Sequence, residues 1–171
     1  MQNSYVNLED WYSFISRINE FKTRLIIETL YASGCSESEL INLRVSDINF
    51  KENYLQFNNR KSNLSKNLIN NINNYILSFN IKKNDFLFSS RQSSQLSAKR
   101  IQQLVVEASL NVLGRKITPQ DIRKIHVIHA LQKNYSILSI SLQTGLSFQR
   151  IAQIVDQNKE LLGKFSSRYE I

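Results

Sequence analysis

Apolar residues recur at helical spacing along most of the chain. Residues 8–18 and 21–32 carry two such patterns, and the second is apolar on nearly every side, which indicates a buried helix. Gly34 is expected to end that helix, because glycine readily adopts the left-handed conformation at a helix C-terminus. Ser36 and Glu39 then match a capping box, which predicts the start of a further short helix.

Between Val45 and Leu68 the pattern changes to alternation of apolar and polar positions. Ile48 and the run from Tyr54 to Phe57 are typical of half-buried strands, and Asn58-Asn59 is typical of a turn. This segment therefore predicts a small antiparallel sheet.

Helical spacing returns after the sheet and continues almost to the C-terminus. The predicted helices cover residues 68–79, a long segment capped by Ser97, a segment opened by Thr118-Pro119, and the pair Ile137–Thr144 and Ser147–Gln157 joined at Gly145. One Pro and four Gly argue against long linkers. We predict a mainly α fold with a small antiparallel β-sheet, as one domain over residues 1–157 and a C-terminal tail over residues 158–171.

The composition excludes several classes of protein. A chain of 171 residues with 42% hydrophobic and 21% charged residues can bury a full core. No apolar run reaches the roughly 18 residues that span a bilayer, and residues 1–10 do not resemble a signal peptide. We therefore expect a cytoplasmic protein without a membrane partner. Cys35 is the only cysteine, so no internal disulfide can form.

The net charge of +8 is unevenly distributed along the chain. Residues 1–85 contain ten Lys and Arg against nine Asp and Glu, whereas residues 86–171 contain twelve against five. A one-sided positive field attracts polyanions, and Lys and Arg contacts to phosphate provide sequence-independent affinity for DNA. A solvated surface in a Lys- and Asn-rich proteome remains the alternative.

His126 and His129 lie on one predicted helical face, but a metal site would need further ligands at suitable spacing. We predict no metal and no cofactor, with His129 packed near the core and His126 at its boundary.

Residues 33–48 resemble the tyrosine recombinase box written Gly-hydrophobic-Arg-x-Ser-Glu-Leu, followed by Leu-x-x-x-Asp-Ile/Val. Aligned without gaps, the first catalytic arginine of that family falls on Ser36. Residues 117–134 resemble the family's helix with a His-x-x-Arg pair, in which Arg123 matches the second catalytic arginine and Gln120 stands at the histidine position. Lys124 follows at a position that is often histidine.

The same alignment extends to the C-terminal part of the family pattern. Gly145 matches the glycine of its Leu-Gly-His/Trp motif, so Leu146 stands at the His/Trp position. The nucleophilic tyrosine, about nine residues later in the family, then falls on Val155. The resemblance implies the recombinase catalytic-domain fold, and it implies that four catalytic positions, Ser36, Gln120, Leu146 and Val155, have lost their chemical groups.

Phosphoryl transfer to a tyrosine requires preorganised positive groups, a proton donor and an in-line nucleophile. Arg123 alone could hold a phosphate but could not supply the other roles. The resemblance therefore implies a double-stranded DNA-binding protein that has lost the catalytic activity of the family. Such a protein is expected to be a transcriptional repressor or regulator of phage or mobile-element origin.

Two alternatives remain open. Arg168-Tyr169 resembles the Arg-Tyr dipeptide of the cleavage step, so an active site-specific recombinase could use Arg123 and Tyr169, fourteen residues beyond Val155. Members of the family also exchange their C-terminal segments between subunits, which implies a homo-oligomer through the tail or an interaction module that pairs with recombinases.

Residues 137–155 also fit a helix-turn-helix, with Gly145 in the turn and Ser147 as the cap of the second helix. That helix could present Gln149, Arg150 and Gln153 to base edges, although any helical hairpin with a glycine corner has this pattern. The predicted DNA contacts are Arg60, Lys61, Lys99, Arg100, Arg115, Lys116, Arg123, Lys124, Gln149 and Arg150. Such a bacterial or phage protein would associate with the nucleoid.

Overall fold

The computed structural model describes residues 4–90 and 93–163. Its helices are α1 Leu8–Ser16, α2 Phe21–Ser33, α3 Glu37–Asn42, α4 Lys66–Ser78, α5 Ala98–Leu113, α6 Pro119–Gln132, α7 Ile137–Thr144, α8 Phe148–Gln157 and α9 Lys159–Leu162. Its strands are β1 Ile48–Asn49, β2 Tyr54–Phe57 and β3 Arg60–Asn63, preceded by a 3-10 turn at Val45–Asp47. The mainly helical fold with a small sheet is the predicted one.

The three strands form an antiparallel meander in the order β1-β2-β3. Leu55 pairs with Ile48 on one side and with Ser62 on the other. All three residues are buried, whereas Lys61 on the opposite face of β3 is exposed. The sheet therefore has one face against the helices, as alternation predicts. Phe50 lies in the turn after β1 and is 40% exposed, so it does not continue the alternating pattern.

The helix α2 lies at the centre of the domain, as its apolar sequence predicts. Leu25, Ile26 and Ile27 are fully buried, and α2 packs against α4, α5 and α6. The helix ends at Gly34, which adopts the left-handed conformation with φ of +59°. A Cβ at this position would lie 2.5 Å from Cγ2 of Thr144, so glycine is required both by the backbone angle and by the close approach of α7.

The buried apolar side chains form two clusters that meet along α6. Ile122 and Ile125 belong to the larger cluster, with α1, α2, α4 and α5, and Val127 begins the smaller one. Leu162 of α9 is 2% exposed within the smaller cluster. Leu162 lies in the segment that the sequence predicts as a C-terminal tail, so the described part of that segment packs on the domain. None of the described helices combines the length and apolar character needed to cross a membrane.

His129 is a core residue with both ring nitrogens in hydrogen bonds. It is 2% exposed, its Nε2 lies 2.8 Å from the Val6 carbonyl oxygen, and its Nδ1 lies 2.8 Å from the Tyr31 hydroxyl. Since a carbonyl can only accept, Nε2 carries the proton and Nδ1 accepts from Tyr31. Burial lowers the pKa of His129 below its usual 6.5 and lowers the pKa of the half-buried His126 to about 4.

The folded protein should lose stability as the pH falls from 7 to 5. Both histidines bind protons more weakly when folded, so below about pH 6.5 protonation favours the unfolded chain, by up to about 1.4 kcal/mol per pH unit for each histidine. Urea unfolding at several pH values measures this slope. His126→Asn should reduce the slope, and an unchanged slope in that variant would show that His126 does not contribute to it.

Candidate functional site

Several of the positions selected from the sequence border one cavity of about 230 Å³. Its walls come from the segment before α3, the first turns of α6 and the corner between α7 and α8. Six of the predicted positions lie on these walls: Ser36, Gln120, Arg123, Lys124, Leu146 and Arg150. Residues that are far apart in the sequence are therefore brought together at one cavity.

Arg123 is held in the cavity wall by two backbone carbonyls. Its Nε donates to the Gly34 oxygen at 2.7 Å, and its Nη2 donates to the Thr144 oxygen at 2.6 Å. Nη1 makes no hydrogen bond with the described part of the chain, and 22% of the side chain is exposed. Burial lowers the pKa of this arginine, and the neighbouring Glu39 opposes that shift. The guanidinium is thus fixed in orientation while keeping donors for a ligand.

Arg60 was predicted to contact DNA, but the structure places it inside the protein. Its side chain is 7% exposed, and its Nε and Nη2 donate to Oε1 of Glu39 at 3.1 and 2.8 Å. Its Nη1 donates to the Ser62 hydroxyl and to the Gln143 carbonyl. These bonds occupy the guanidinium, so the prediction for Arg60 is corrected to an internal ion pair. Lys61 remains exposed, with its ammonium 4.4 Å from the centre of the Tyr54 ring.

Glu39 joins the two arginines and was missed as a site residue by the sequence reasoning. Its Oε2 accepts from the backbone N of Ser36 at 2.7 Å and lies 3.9 Å from Nη2 of Arg123, while Oε1 accepts from Arg60. The capping box with Ser36 was a sufficient explanation for a glutamate at position 39. Nothing else in the sequence indicated that Glu39 would also contact two arginines. We call Glu39, Arg60 and Arg123 the carboxylate-arginine cluster.

The corner between α7 and α8 is shaped by Gly145. This residue has φ of +71°, and a Cβ placed there would lie 2.6 Å from Nε of Arg60. Ser147 caps α8 by accepting from the backbone N of Arg150, and Ile140 and Ile151 are buried between the two helices. A helical hairpin with a glycine corner is thus present, and the reading of base edges by its second helix stays a prediction.

The remaining basic candidates do not form one continuous face. Lys99 and Arg100 lie in the first turn of α5, whereas Arg115 and Lys116 follow its last turn, about 24 Å away along a helix of 16 residues. Arg100 borders a separate groove of about 620 Å³. Nη2 of Arg115 donates to the Tyr5 carbonyl at 2.8 Å, which ties this arginine to the N-terminal segment.

The position aligned with the family's nucleophile lies in the core. Val155 is 6% exposed within the smaller apolar cluster. The alternative nucleophile, Tyr169, and the neighbouring Arg168 lie outside the described residues.

Cys35 is 1% exposed, and burial raises the pKa of its thiol to about 11, so it stays protonated at neutral pH. Among residues 4–90 and 93–163 no three His, Cys, Asp or Glu side chains are grouped as potential metal ligands.

Comparison with known proteins identifies the family. The model of the phage integrase family matches residues 6–154, so this chain belongs to that family of tyrosine recombinases and integrases. The tyrosine recombinase XerA of Pyrococcus furiosus is 29% identical over 145 residues, which cover 80% of this chain and 50% of that protein. A tyrosine recombinase of Agathobacter rectalis is 29% identical over 163 residues, covering 84% and 52%. The chain spans about half the length of these relatives.

Solved structures show the same fold. The crystal structure of XerA recombinase superposes with a TM-score of 0.82 at 18% identity, over 98% of this chain and 65% of that one. XerH recombinase bound to its difH substrate before cleavage superposes with a TM-score of 0.77 at 17% identity, over 92% and 51%. The predicted tyrosine recombinase catalytic-domain fold is confirmed.

Arg60→Ala should lower the free energy of unfolding by about 3 kcal/mol, because it leaves Glu39 without its closest cationic partner in a largely buried position. Lys51→Ala is the matched control, since Lys51 is exposed in the turn between β1 and β2 and its loss should change stability by less than about 0.5 kcal/mol. Urea unfolding followed by circular dichroism measures both. Equal midpoints for the two variants would contradict the internal role of Arg60.

Proposed function

We propose that this protein binds double-stranded DNA through the cavity that contains Arg123, and that it regulates transcription or recombination without cutting DNA. The observation that carries the proposal is the orientation of Arg123. Two backbone carbonyls anchor its guanidinium, and Nη1 has no hydrogen-bond partner among the described residues. Arginine in this state suits a phosphate oxygen, since guanidinium-phosphate hydrogen bonds are short and charge-assisted.

The cations around the cavity support a phosphate ligand. Lys124 and Arg150 border it together with Arg123, while Glu37 is the one carboxylate-bearing residue among those that line it. Lys124 lies 3.8 Å from Asp121, and its side chain remains 35% exposed, so it can still reach solvent or a ligand. Phosphate contacts of this kind provide affinity without reading the base sequence.

The side chains at the aligned catalytic positions around the cavity support the proposal that the protein does not cleave DNA. Ser36, Gln120 and Leu146 would have to supply a guanidinium, a proton donor and a hydrogen-bonding ring, and none of these side chains carries such a group at its aligned position. Loss of a single preorganised donor can reduce a rate by about two to three orders of magnitude. A regulator of phage or mobile-element origin fits a family member that keeps the phosphate-holding arginine.

Membership of the recombinase family also favours a second candidate, an active recombinase with Tyr169 as nucleophile. The relatives are named tyrosine recombinases, and the XerH structure is a pre-cleavage complex of a site-specific recombinase with difH substrate. This chain would share recombinase activity if Tyr169 reached the cavity. Pairing with true recombinases through the tail is a further form of regulation that the proposal includes.

Arg123→Ala should weaken binding to duplex DNA and reduce the slope of log affinity against log salt by about 0.9, since one phosphate contact is lost. Fluorescence anisotropy at several salt concentrations measures the slope. Lys124→Ala should reduce affinity and slope by a comparable amount while leaving the hydrogen bonds from Arg123 to the Gly34 and Thr144 carbonyls in place. This variant therefore distinguishes the loss of a DNA contact from local unfolding. Unchanged affinity and slope in both variants would rule out the cavity as the DNA contact.

A nicked suicide substrate should trap no covalent protein-DNA complex when it is incubated with the protein. The substrate should carry a duplex sequence that the protein selects from a random pool. Denaturing gel electrophoresis detects the complex. A trapped complex that disappears in Tyr169→Phe and persists in Tyr135→Phe would establish the active recombinase instead. Tyr135 is an exposed tyrosine of the linker before α7 and serves as the matched control.

A further inference from the structure

Arg150 borders the cavity from α8, and Arg123 borders the same cavity from α6. It is the third residue of α8, and its backbone N donates to the Ser147 hydroxyl at 3.2 Å. Its Nη1 lies 3.0 Å from Oε1 of Gln153, one turn further along the same helix. The side chain is exposed, so the remaining guanidinium donors are accessible to a ligand in the cavity.

No carboxylate neutralises Arg150 within the described parts of the chain, because its side chain takes part in none of the ion pairs found there. Glu39 is already bonded to Arg60 and to the backbone of Ser36, and it lies 3.9 Å from Arg123. Burial is the main cause of the lowered pKa of Arg123, and the positive charges of Arg60 and, to the smallest extent, Arg150 act in the same direction. Two guanidinium groups therefore line the same cavity, whose lining contains one carboxylate-bearing residue, Glu37, and Glu37 forms no ion pair with either arginine among the described residues.

The cavity can admit an anionic group together with water. Its volume of about 230 Å³ is far above the roughly 10–15 Å³ that a single water molecule requires. Placing an anion between two like charges removes their repulsion and adds charge-assisted hydrogen bonds from both sides. In a protein that binds duplex DNA, the available anion is a backbone phosphodiester.

We propose that Arg123 and Arg150 hold the same DNA phosphate between them. Arg150 supplies, from α8, the second guanidinium that the family alignment places at Ser36. This inference rests on the proposed function and makes Arg150 a phosphate contact, in place of the base-reading role predicted for it from the helix-turn-helix pattern. The second guanidinium thus comes from the start of α8 and not from the start of α3. It can bind a phosphate there, but it does not replace the missing proton donor or nucleophile.

Methylphosphonate substitution tests the shared phosphate directly, because it removes the charge of one linkage at a time. The probe is a duplex selected by the full-length protein from a random pool, with a single methylphosphonate at each successive linkage. We expect one linkage at which neutralisation weakens binding by the wild-type protein roughly tenfold or more. At that linkage the substitution should have little further effect on Arg123→Ala and on Arg150→Ala. Lys51→Ala removes a charge from a distant turn and should retain the full effect.

The double variant provides a second measurement. If both arginines bind one phosphate, the combined loss of affinity in Arg123→Ala/Arg150→Ala should be smaller than the product of the separate losses. Arg150→Lys keeps the charge and should retain part of the sensitivity to the methylphosphonate. Unfolding midpoints for each variant show whether the fold is intact. Because Arg150 is exposed, its replacement leaves no buried group unpaired, and we expect the fold to be retained.

The outcomes separate this inference from the proposed function. If Arg150→Ala keeps the full sensitivity at the linkage detected by Arg123→Ala, the shared phosphate is wrong and DNA binding through Arg123 stands. A changed sequence preference with an unchanged salt slope would return Arg150 to base reading and would also overturn the inference. If the protein selects no duplex even at low salt, the proposed function fails, and the shared phosphate fails with it.

Discussion

The Glu39 carboxylate, placed between the guanidinium groups of Arg60 and Arg123, is the interaction on which the rest of the site depends. It joins α3, β3 and α6, and Arg60 extends the contact to α7 through the Gln143 carbonyl. Loss of Arg60 would leave the largely buried Glu39 carboxylate without its closest cation, which costs more than the loss of an exposed ion pair. The surrounding backbone therefore favours the arrangement that keeps Glu39 close to both arginines.

Two glycines and two backbone carbonyls position the arginines of this cluster. Gly34 allows the close approach of Thr144, Gly145 allows the close approach of Arg60, and the Gly34 and Thr144 carbonyls orient the Arg123 guanidinium. A site preorganised in this way can bind an anion independently of whether it can react with it.

The positive charge of the chain is a poor guide to its surface. The second half has the larger excess of cations, yet Arg115 is bonded to a backbone carbonyl, as Arg60 in the first half is bonded to Glu39. Arginine carries up to five donors in a rigid fork, so it can be used internally to satisfy carbonyls and carboxylates. Of the predicted basic contacts, Arg123, Lys124 and Arg150 meet at one cavity, and the pairs at the two ends of α5 lie elsewhere.

The sequence by itself determined the helices, the small sheet, the capping residues such as Ser36 and Thr118, and the alignment that brings Ser36, Gln120 and Leu146 to one cavity. These features depend on local periodicity, on hydrogen bonds within four residues, and on the order of motifs along the chain. Only the tertiary structure decided that Arg60 is internal, that Glu39 contacts two arginines, and that Arg150 lines the same cavity as Arg123. The hydrogen bonds from Arg60 to Glu39, from Arg60 to Gln143 and from Arg123 to Gly34 join residues 21, 83 and 89 positions apart in the sequence. Local sequence patterns do not indicate which charged side chains will be in contact when distant elements pack.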